Sequence, residues 1–139
     1  MKKYNLVLSI LLFLGCMLNL NAQDLQQTKV EKISSEKVEV YYFHNTRRCA
    51  TCEAVEEVTK NSLKELYPEQ FKSGEVTFQS LNIEDKENEA LARKLKVSGQ
   101  TLLVVKDGKK KDLTNDAFMN ARSNPDKLKE KIHKTIGTI

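Results

Sequence analysis

Tryptophan is absent from the 139-residue chain, and glycine and proline are scarce, at five and two residues. This scarcity, together with the lack of any internal repeat, excludes collagen-like, solenoid and low-complexity chains. An excess of one charge is also lacking, because 23 basic and 19 acidic residues are interleaved and leave a net charge of +4. A dedicated nucleic-acid binder would be more lopsided. The length fits one compact domain.

The longest apolar stretch lies at the N-terminus. Lys2 and Lys3 precede the uncharged residues 6–14, and polar residues then lead to Ala22. This order of a basic, an apolar and a small-residue region predicts a secretory signal peptide over residues 1–22, with cleavage after Ala22. The apolar stretch is shorter than the about 20 residues of a membrane-spanning helix. An uncleaved membrane anchor is therefore the weaker interpretation.

Gly15-Cys16 supports a second interpretation of the leader. A small residue followed by cysteine at the end of an apolar run resembles a bacterial lipobox, although Phe13 stands where leucine is usual. Cleavage after Ala22 predicts a periplasmic or secreted protein. Lipidation of Cys16 would instead anchor the exported protein to a membrane.

After the leader, residues 23–36 are polar and predict a tether or a short first strand, and residues 37–139 predict one domain. Apolar residues recur every second position in strands and every three to four positions in helices. The predicted strands are Val38–Phe43, Val76–Ile83, Thr101–Lys106 and Lys109–Leu113, and the predicted helices are Cys52–Tyr67, Glu87–Leu95 and a last helix with Asn124 as its N-cap and Pro125 at its first position. Asp107-Gly108 predicts a hairpin turn between the last two strands. Helices between strands favour parallel pairing and the hairpin adds an antiparallel edge, so the sequence predicts an α/β fold with a mixed sheet.

Removal of residues 1–22 leaves two cysteines, Cys49 and Cys52. An exported chain meets an oxidising compartment, where such a pair can form a disulfide. A bond between cysteines three positions apart closes a small loop and adds little stability. The pair therefore indicates chemistry rather than a structural cross-link.

Cys49-Ala50-Thr51-Cys52, between a strand and a helix, resembles the active-site motif of the thioredoxin-like superfamily. The stretches 81–84 and 90–109 are similar to the second half of that family, and the resemblance covers about residues 37–137. It implies a thioredoxin-like fold with a central mixed sheet of about four strands (βαβ-α-ββα) and flanking helices. It also implies a thiol–disulfide oxidoreductase.

Roles for the two cysteines follow from the helix start. The first sulfur lies near unpaired backbone N–H groups and the positive end of the helix dipole, which favours a thiolate at Cys49. Cys49 would attack a substrate disulfide, and Cys52 would resolve the mixed disulfide by attacking back. Arg47 and Arg48 immediately precede the nucleophile and add positive potential. Three glutamates of the first helical turns disfavour the thiolate: Glu53, Glu56 and Glu57.

Three departures from the family pattern stand out. Gln100 occupies the place of the usual cis-proline. A cis peptide bond before a residue other than proline costs about 2.5–4 kcal/mol, so a trans or reshaped loop is expected. Gln100 and Thr101 lie where the family docks substrate backbone. Phe43 stands at the position of a buried aspartate, and residues 45–48 replace a segment that carries tryptophan. The sequence thus resembles a specialised relative.

Two functional classes remain open. The first is an exported oxidoreductase that acts on protein or small-molecule disulfides and is recycled by a redox partner. The second is a redox-inert module of the same fold that binds a partner, or Cu(I) through two thiolates. A zinc site normally has four protein ligands, and no further cysteine or well-spaced histidine pair accompanies Cys49 and Cys52. No cofactor, resident metal or nucleic-acid partner is predicted.

Overall fold

A four-stranded mixed sheet with helices on its faces organises residues 37–139, the part of the chain that the computed structural model describes. The predicted leader, Cys16 and the segment 23–36 lie outside the described residues. In chain order the elements are β1 (Val38–His44), α1 (Ala50–Leu66), α2 (Pro68–Ser73), β2 (Val76–Asn82), α3 (Lys86–Leu95), β3 (Thr101–Lys106), β4 (Lys109–Asp112), α4 (Thr114–Asn120) and α5 (Pro125–Thr138). None of the helices among residues 37–139 is long and apolar enough to span a membrane.

The strands lie in the order β2-β1-β3-β4, which places β1 in the interior of the sheet. The β1 and β2 strands pair in parallel and end together, with His44 opposite Asn82. The β3 strand runs antiparallel to β1, with Thr101 opposite Phe43. The carboxyl end of β1 and the start of β3 therefore meet at one edge of the sheet, and this edge positions the cysteine motif.

Parallel pairing of the strands around a helix holds for β1 and β2 but not for β3. The sequence pattern of alternating helices and strands favoured a parallel β3, because a crossover helix usually returns the chain to the starting edge of the sheet. Here α3 connects the end of β2 to the start of β3, and both lie at the same edge of the sheet. β3 therefore runs antiparallel to β1 and β2. The mixed sheet was predicted, and the antiparallel pairing extends one strand further than the hairpin alone suggested.

The core lies on both faces of the sheet. Even-numbered residues of β1, among them Val40 and Tyr42, pack with α1 and α5 in the larger cluster, whereas Tyr41 and Phe43 pack beneath α3 in a smaller one. This division follows from the period of two in a strand. The side chains of Tyr42 and Phe43 are both completely buried, yet they serve opposite faces.

Turns and helix ends follow the residue types at the boundaries. Pro68 separates α1 from the short helix α2, which the sequence did not predict. Asp107 and Gly108 both have positive φ, 50° and 76°, as a two-residue hairpin turn between β3 and β4 requires. Asn124 caps α5 by accepting a hydrogen bond from the Lys127 N–H at 3.2 Å, in agreement with the predicted helix start.

The helix α4 was also absent from the sequence prediction. It has only seven residues, and its start depends on Asp112, whose Oδ1 accepts hydrogen bonds from the Thr114 N–H at 2.8 Å and the Thr114 hydroxyl at 2.5 Å. Its inward residue Ala117 is completely buried in the larger cluster. A helix of two turns is marginal by itself, so packing rather than propensity forms it.

Candidate functional site

Cys49 and Cys52 form a disulfide at the N-terminus of α1. Cys49 is the N-cap residue, with extended backbone angles, and its Sγ accepts a hydrogen bond from the Cys52 N–H at 3.2 Å. Its carbonyl oxygen accepts the first helical hydrogen bond, from the Glu53 N–H at 3.0 Å. The first sulfur therefore occupies the place that a capping oxygen holds in most helices, where an anion is favoured.

The two sulfurs differ in accessibility. Cys49 is exposed, whereas Cys52 is 2% exposed and lies one turn inward on the buried side of α1. The expected arrangement of an outer and an inner cysteine is therefore present. An incoming disulfide can reach Cys49 from solvent, and Cys52 can be attacked only from within the protein.

Gln100 faces the inner cysteine from the loop before β3. Its Oε1 lies 3.8 Å from the Cys52 Sγ. The sulfur carries no proton in the disulfide, and a reduced Cys52 at this place would donate one to the amide oxygen. All peptide bonds of the described residues are trans, as expected for a loop with glutamine in the place of proline.

Thr101 begins β3 directly after Gln100, at the edge of the sheet where β1 ends. Its hydroxyl donates to the Gly99 carbonyl at 3.1 Å, which fixes the side chain within its own loop. Gln100 thus contacts the cysteine pair, and Thr101 shapes the loop that carries it.

The disulfide lies at the N-terminus of a helix that follows a strand, and an antiparallel strand begins at the loop opposite the inner cysteine. This is the arrangement that the CxxC motif implied. The fold is thioredoxin-like. The thioredoxin-like sheet explains why residues 49 and 100, distant in the sequence, meet: both lie on loops at the same edge, at the end of β1 and the start of β3.

No protein-family model matches the chain, and no curated protein sequence matches it. Thioredoxin O2 from Arabidopsis thaliana, in its oxidized state, is 28% identical with a TM-score of 0.43; the match covers 56% of this chain and 62% of that chain. Fasciola hepatica thioredoxin is 24% identical over 73% of this chain and 84% of that chain, with a TM-score of 0.46. A structure described as a malarial protein is 22% identical over 55% of this chain and 80% of that chain, with a TM-score of 0.39. The chain thus spans less than two thirds of the plant thioredoxin.

The two arginines before Cys49 take different environments in this thioredoxin-like site. Arg47 is exposed. Arg48 is turned onto α1, where its Nη2 forms an ion pair with Glu56 Oε2 and lies 3.5 Å from the Cys52 carbonyl oxygen. Its guanidinium carbon also lies 5.9 Å from the centre of the Tyr42 ring, within the range of a cation–π contact.

Phe43, which the family pattern placed at the position of a buried acid, does not pack on the face of the sheet that α1 covers. It packs beneath α3, on the opposite face of the sheet from Tyr42. The residue of β1 that lies under Arg48 and α1 is Tyr42, whose hydroxyl pKa is raised by burial. An acid does occur near this place, but it comes from α1 as Glu56.

Glu56 was treated in the sequence as one of several opposing charges, and its specific role was missed. It follows Cys52 by four positions, so the two residues lie on one side of α1 next to the inward-facing Val55. Burial alone would raise the pKa of Glu56, but the nearby Ser80 side chain, the hydrogen-bonded ion pair with Arg48 and the electrostatic influence of His44 outweigh it, and the pKa is lowered. An acid within the buried stripe of a helix was the feature that could have identified it.

Two sulfurs are the soft ligands at this site. Within residues 37–139, histidine, cysteine, aspartate and glutamate form no group of three or more that could hold a metal ion. The arrangement is suited to thiol–disulfide exchange, because an accessible sulfur at a helix N-terminus is joined to a shielded sulfur that can displace whatever binds to the first.

Proposed function

We propose that this protein is an exported thiol–disulfide oxidoreductase that acts on protein or small-molecule disulfides. The observation that carries the proposal is the Cys49–Cys52 disulfide at the N-terminus of α1, with one sulfur exposed and the other buried. Export follows from the predicted leader, with cleavage after Ala22 or lipidation at Cys16 as its two forms. A redox partner in the same compartment would recycle the site.

The exchange proceeds through one mixed disulfide. The Cys49 thiolate attacks a substrate disulfide, a Cys49–substrate bond forms, and one substrate sulfur leaves as a thiolate. The Cys52 thiolate then attacks the Cys49 sulfur, the protein disulfide forms, and the second substrate sulfur leaves. The substrate gains two electrons and two protons, and the reverse sequence oxidises a dithiol. The reduction potential of the couple decides the direction.

Trapping of the mixed disulfide tests these roles. Cys52→Ser should accumulate substrate on Cys49, because the resolving thiol is missing, whereas Cys49→Ser should trap nothing at this site, because the remaining sulfur is buried. Both full-length variants are incubated with a disulfide-bonded peptide, and the adduct is located by peptide mapping, which separates Cys16 from the pair. Equal adducts on both variants, or none on either, would contradict the assignment and favour a redox-inert module.

A further inference from the structure

The side chain of Arg48 is held in one place by two groups of α1. Its Nη2 forms an ion pair with Glu56 and lies 3.5 Å from the Cys52 carbonyl oxygen. Its Nε is buried and makes no hydrogen bond to another residue of the described chain. Glu56 is thus the charged group that keeps this guanidinium on α1, although Arg48 precedes the exposed Cys49 directly in sequence.

Glu56 is well placed to keep hold of the arginine. Both side chains of the pair are about one quarter exposed, at 25% for Arg48 and 27% for Glu56. The lowered pKa of the carboxyl keeps it ionised at neutral pH, with Ser80 of β2 and His44 of β1 on the same side. A carboxylate and a guanidinium with limited access to water attract each other more strongly than an exposed pair.

A thiolate at Cys49 would compete with this carboxylate for the arginine. Cys49 lies next to Arg48 in the chain, and positive charge within about 4–6 Å favours the thiolate form. While Glu56 neutralises the guanidinium, most of this stabilisation is withheld from the sulfur. The other charged residues close to Cys49 in the sequence are Arg47, Glu53 and Glu57, all of them exposed, and His44 of β1 acts electrostatically on Glu56.

We propose that Glu56 sets the reactivity and redox potential of the Cys49–Cys52 couple by sequestering Arg48. Glu56 is a positioning residue, because it acts on the sulfur through the arginine rather than by touching the substrate. The inference rests on the proposed oxidoreductase function and deepens it. Through this ion pair, Glu56 makes the reduced form less stable than it would be if both arginines acted on the thiolate.

The test compares Glu56→Gln with Glu57→Gln, which removes the same charge from the next position of α1, where the side chain is exposed. In the reduced full-length proteins, the rate of Cys49 alkylation is measured against pH and read from the modified peptide by tandem mass spectrometry, which distinguishes Cys49 from Cys52 and Cys16. Glu56→Gln should lower the apparent pKa of Cys49. Glu57→Gln should shift it by no more than about a third as much, since no arginine among residues 37–139 pairs with Glu57 and its exposed side chain is screened by solvent.

The equilibrium with reduced and oxidised glutathione gives a second readout. In Glu56→Gln the reduced protein should be favoured about 3- to 10-fold over wild type, since a freed guanidinium supports the thiolate. At about 30 mV for a tenfold change, this is a rise in potential of about 15–30 mV. A purely structural role for Glu56 would lower stability without moving the thiol pKa or this equilibrium, and that result would overturn the proposal.

A double-mutant comparison in the Arg48→Gln variant tests whether Glu56 acts through Arg48. If Glu56 acts through Arg48, adding Glu56→Gln to Arg48→Gln should change the equilibrium by less than half as much as in the wild type. An undiminished effect would show that Glu56 acts directly on the sulfurs and would refute the proposal. The proposed function fails separately, if wild-type protein does not exchange with glutathione at all, whereas an exchanging couple that is insensitive to Glu56 refutes only the role of this residue.

Discussion

Reduction of the Cys49–Cys52 bond is expected to lower the free energy of unfolding by no more than about 2 kcal/mol. The bond joins residues three positions apart, so the closed loop contains the four residues 49–52. In the chain-entropy relation a loop of this size restricts the unfolded state by about 1.9 kcal/mol at 25 °C. A thiolate at the N-terminus of α1 recovers about 0.3–1 kcal/mol of this in the reduced form. The net loss should therefore be about 1–1.5 kcal/mol.

The core is large enough to bear this loss. Each fully buried apolar side chain, such as Leu63 or Leu102, contributes about 1.5–3 kcal/mol. The disulfide is thus equivalent to less than one core residue, and the reduced protein should stay folded with its sheet and α1 intact. The proposed exchange reaction requires a folded protein in both redox states.

Urea unfolding followed by far-ultraviolet circular dichroism, with and without a phosphine reductant at pH 7, measures the difference. With a slope of about 1–3 kcal/mol per molar urea, the midpoint should fall by about 0.3–1.5 M on reduction. Loss of the cooperative transition, or a decrease above about 4 kcal/mol, would refute the conclusion that packing rather than the disulfide holds the domain together. Reduction and unfolding also form a thermodynamic cycle. If the oxidised protein has a free energy of unfolding about 1.4 kcal/mol higher than the reduced protein, the folded couple is about 30 mV more reducing than the unfolded one.

Two further predictions concern the supports of the site. Ile132→Ala empties a completely buried position of α5 in the larger cluster and should cost about 2–5 kcal/mol in urea unfolding, whereas Lys134→Ala on the exposed side should stay within about 0.5 kcal/mol. Equal losses in the two variants would contradict the assigned core face. Because the pKa of Glu56 in the folded protein is lowered below its ordinary value of 4.5, its stabilising contribution is present at neutral pH and is lost as the pH falls through the folded pKa. The decrease in urea midpoint between pH 6 and pH 3 should therefore be smaller in Glu56→Gln, and identical acid profiles would refute this contribution.

The local sequence pattern predicted the elements that position the site. The strand Thr101–Lys106 agrees at both ends, and β2 differs from the predicted Val76–Ile83 by one residue. α1 begins at Ala50, two residues before the predicted start at Cys52, because Cys49 itself provides the cap. Strongly periodic segments and proline or asparagine boundaries carry enough local information for such predictions.

The features that escaped prediction depend on contacts between distant residues. Which of Tyr42 and Phe43 faces α1 depends on the register of β1 against its neighbours, since a shift of one residue exchanges the two faces. The ion pair between Arg48 and Glu56 spans eight positions and forms only because the loop turns the arginine back over the helix. No local pattern encodes that turn.

The two outer strands of the described sheet differ in their charged residues. β4 places Lys109, Lys110, Lys111 and Asp112 on one margin, all of them exposed, and repeated lysines discourage another chain from aligning there. β2 at the other margin, Val76–Asn82, contains no charged residue. Charge therefore protects the described sheet from edge-to-edge pairing at β4 and not at β2.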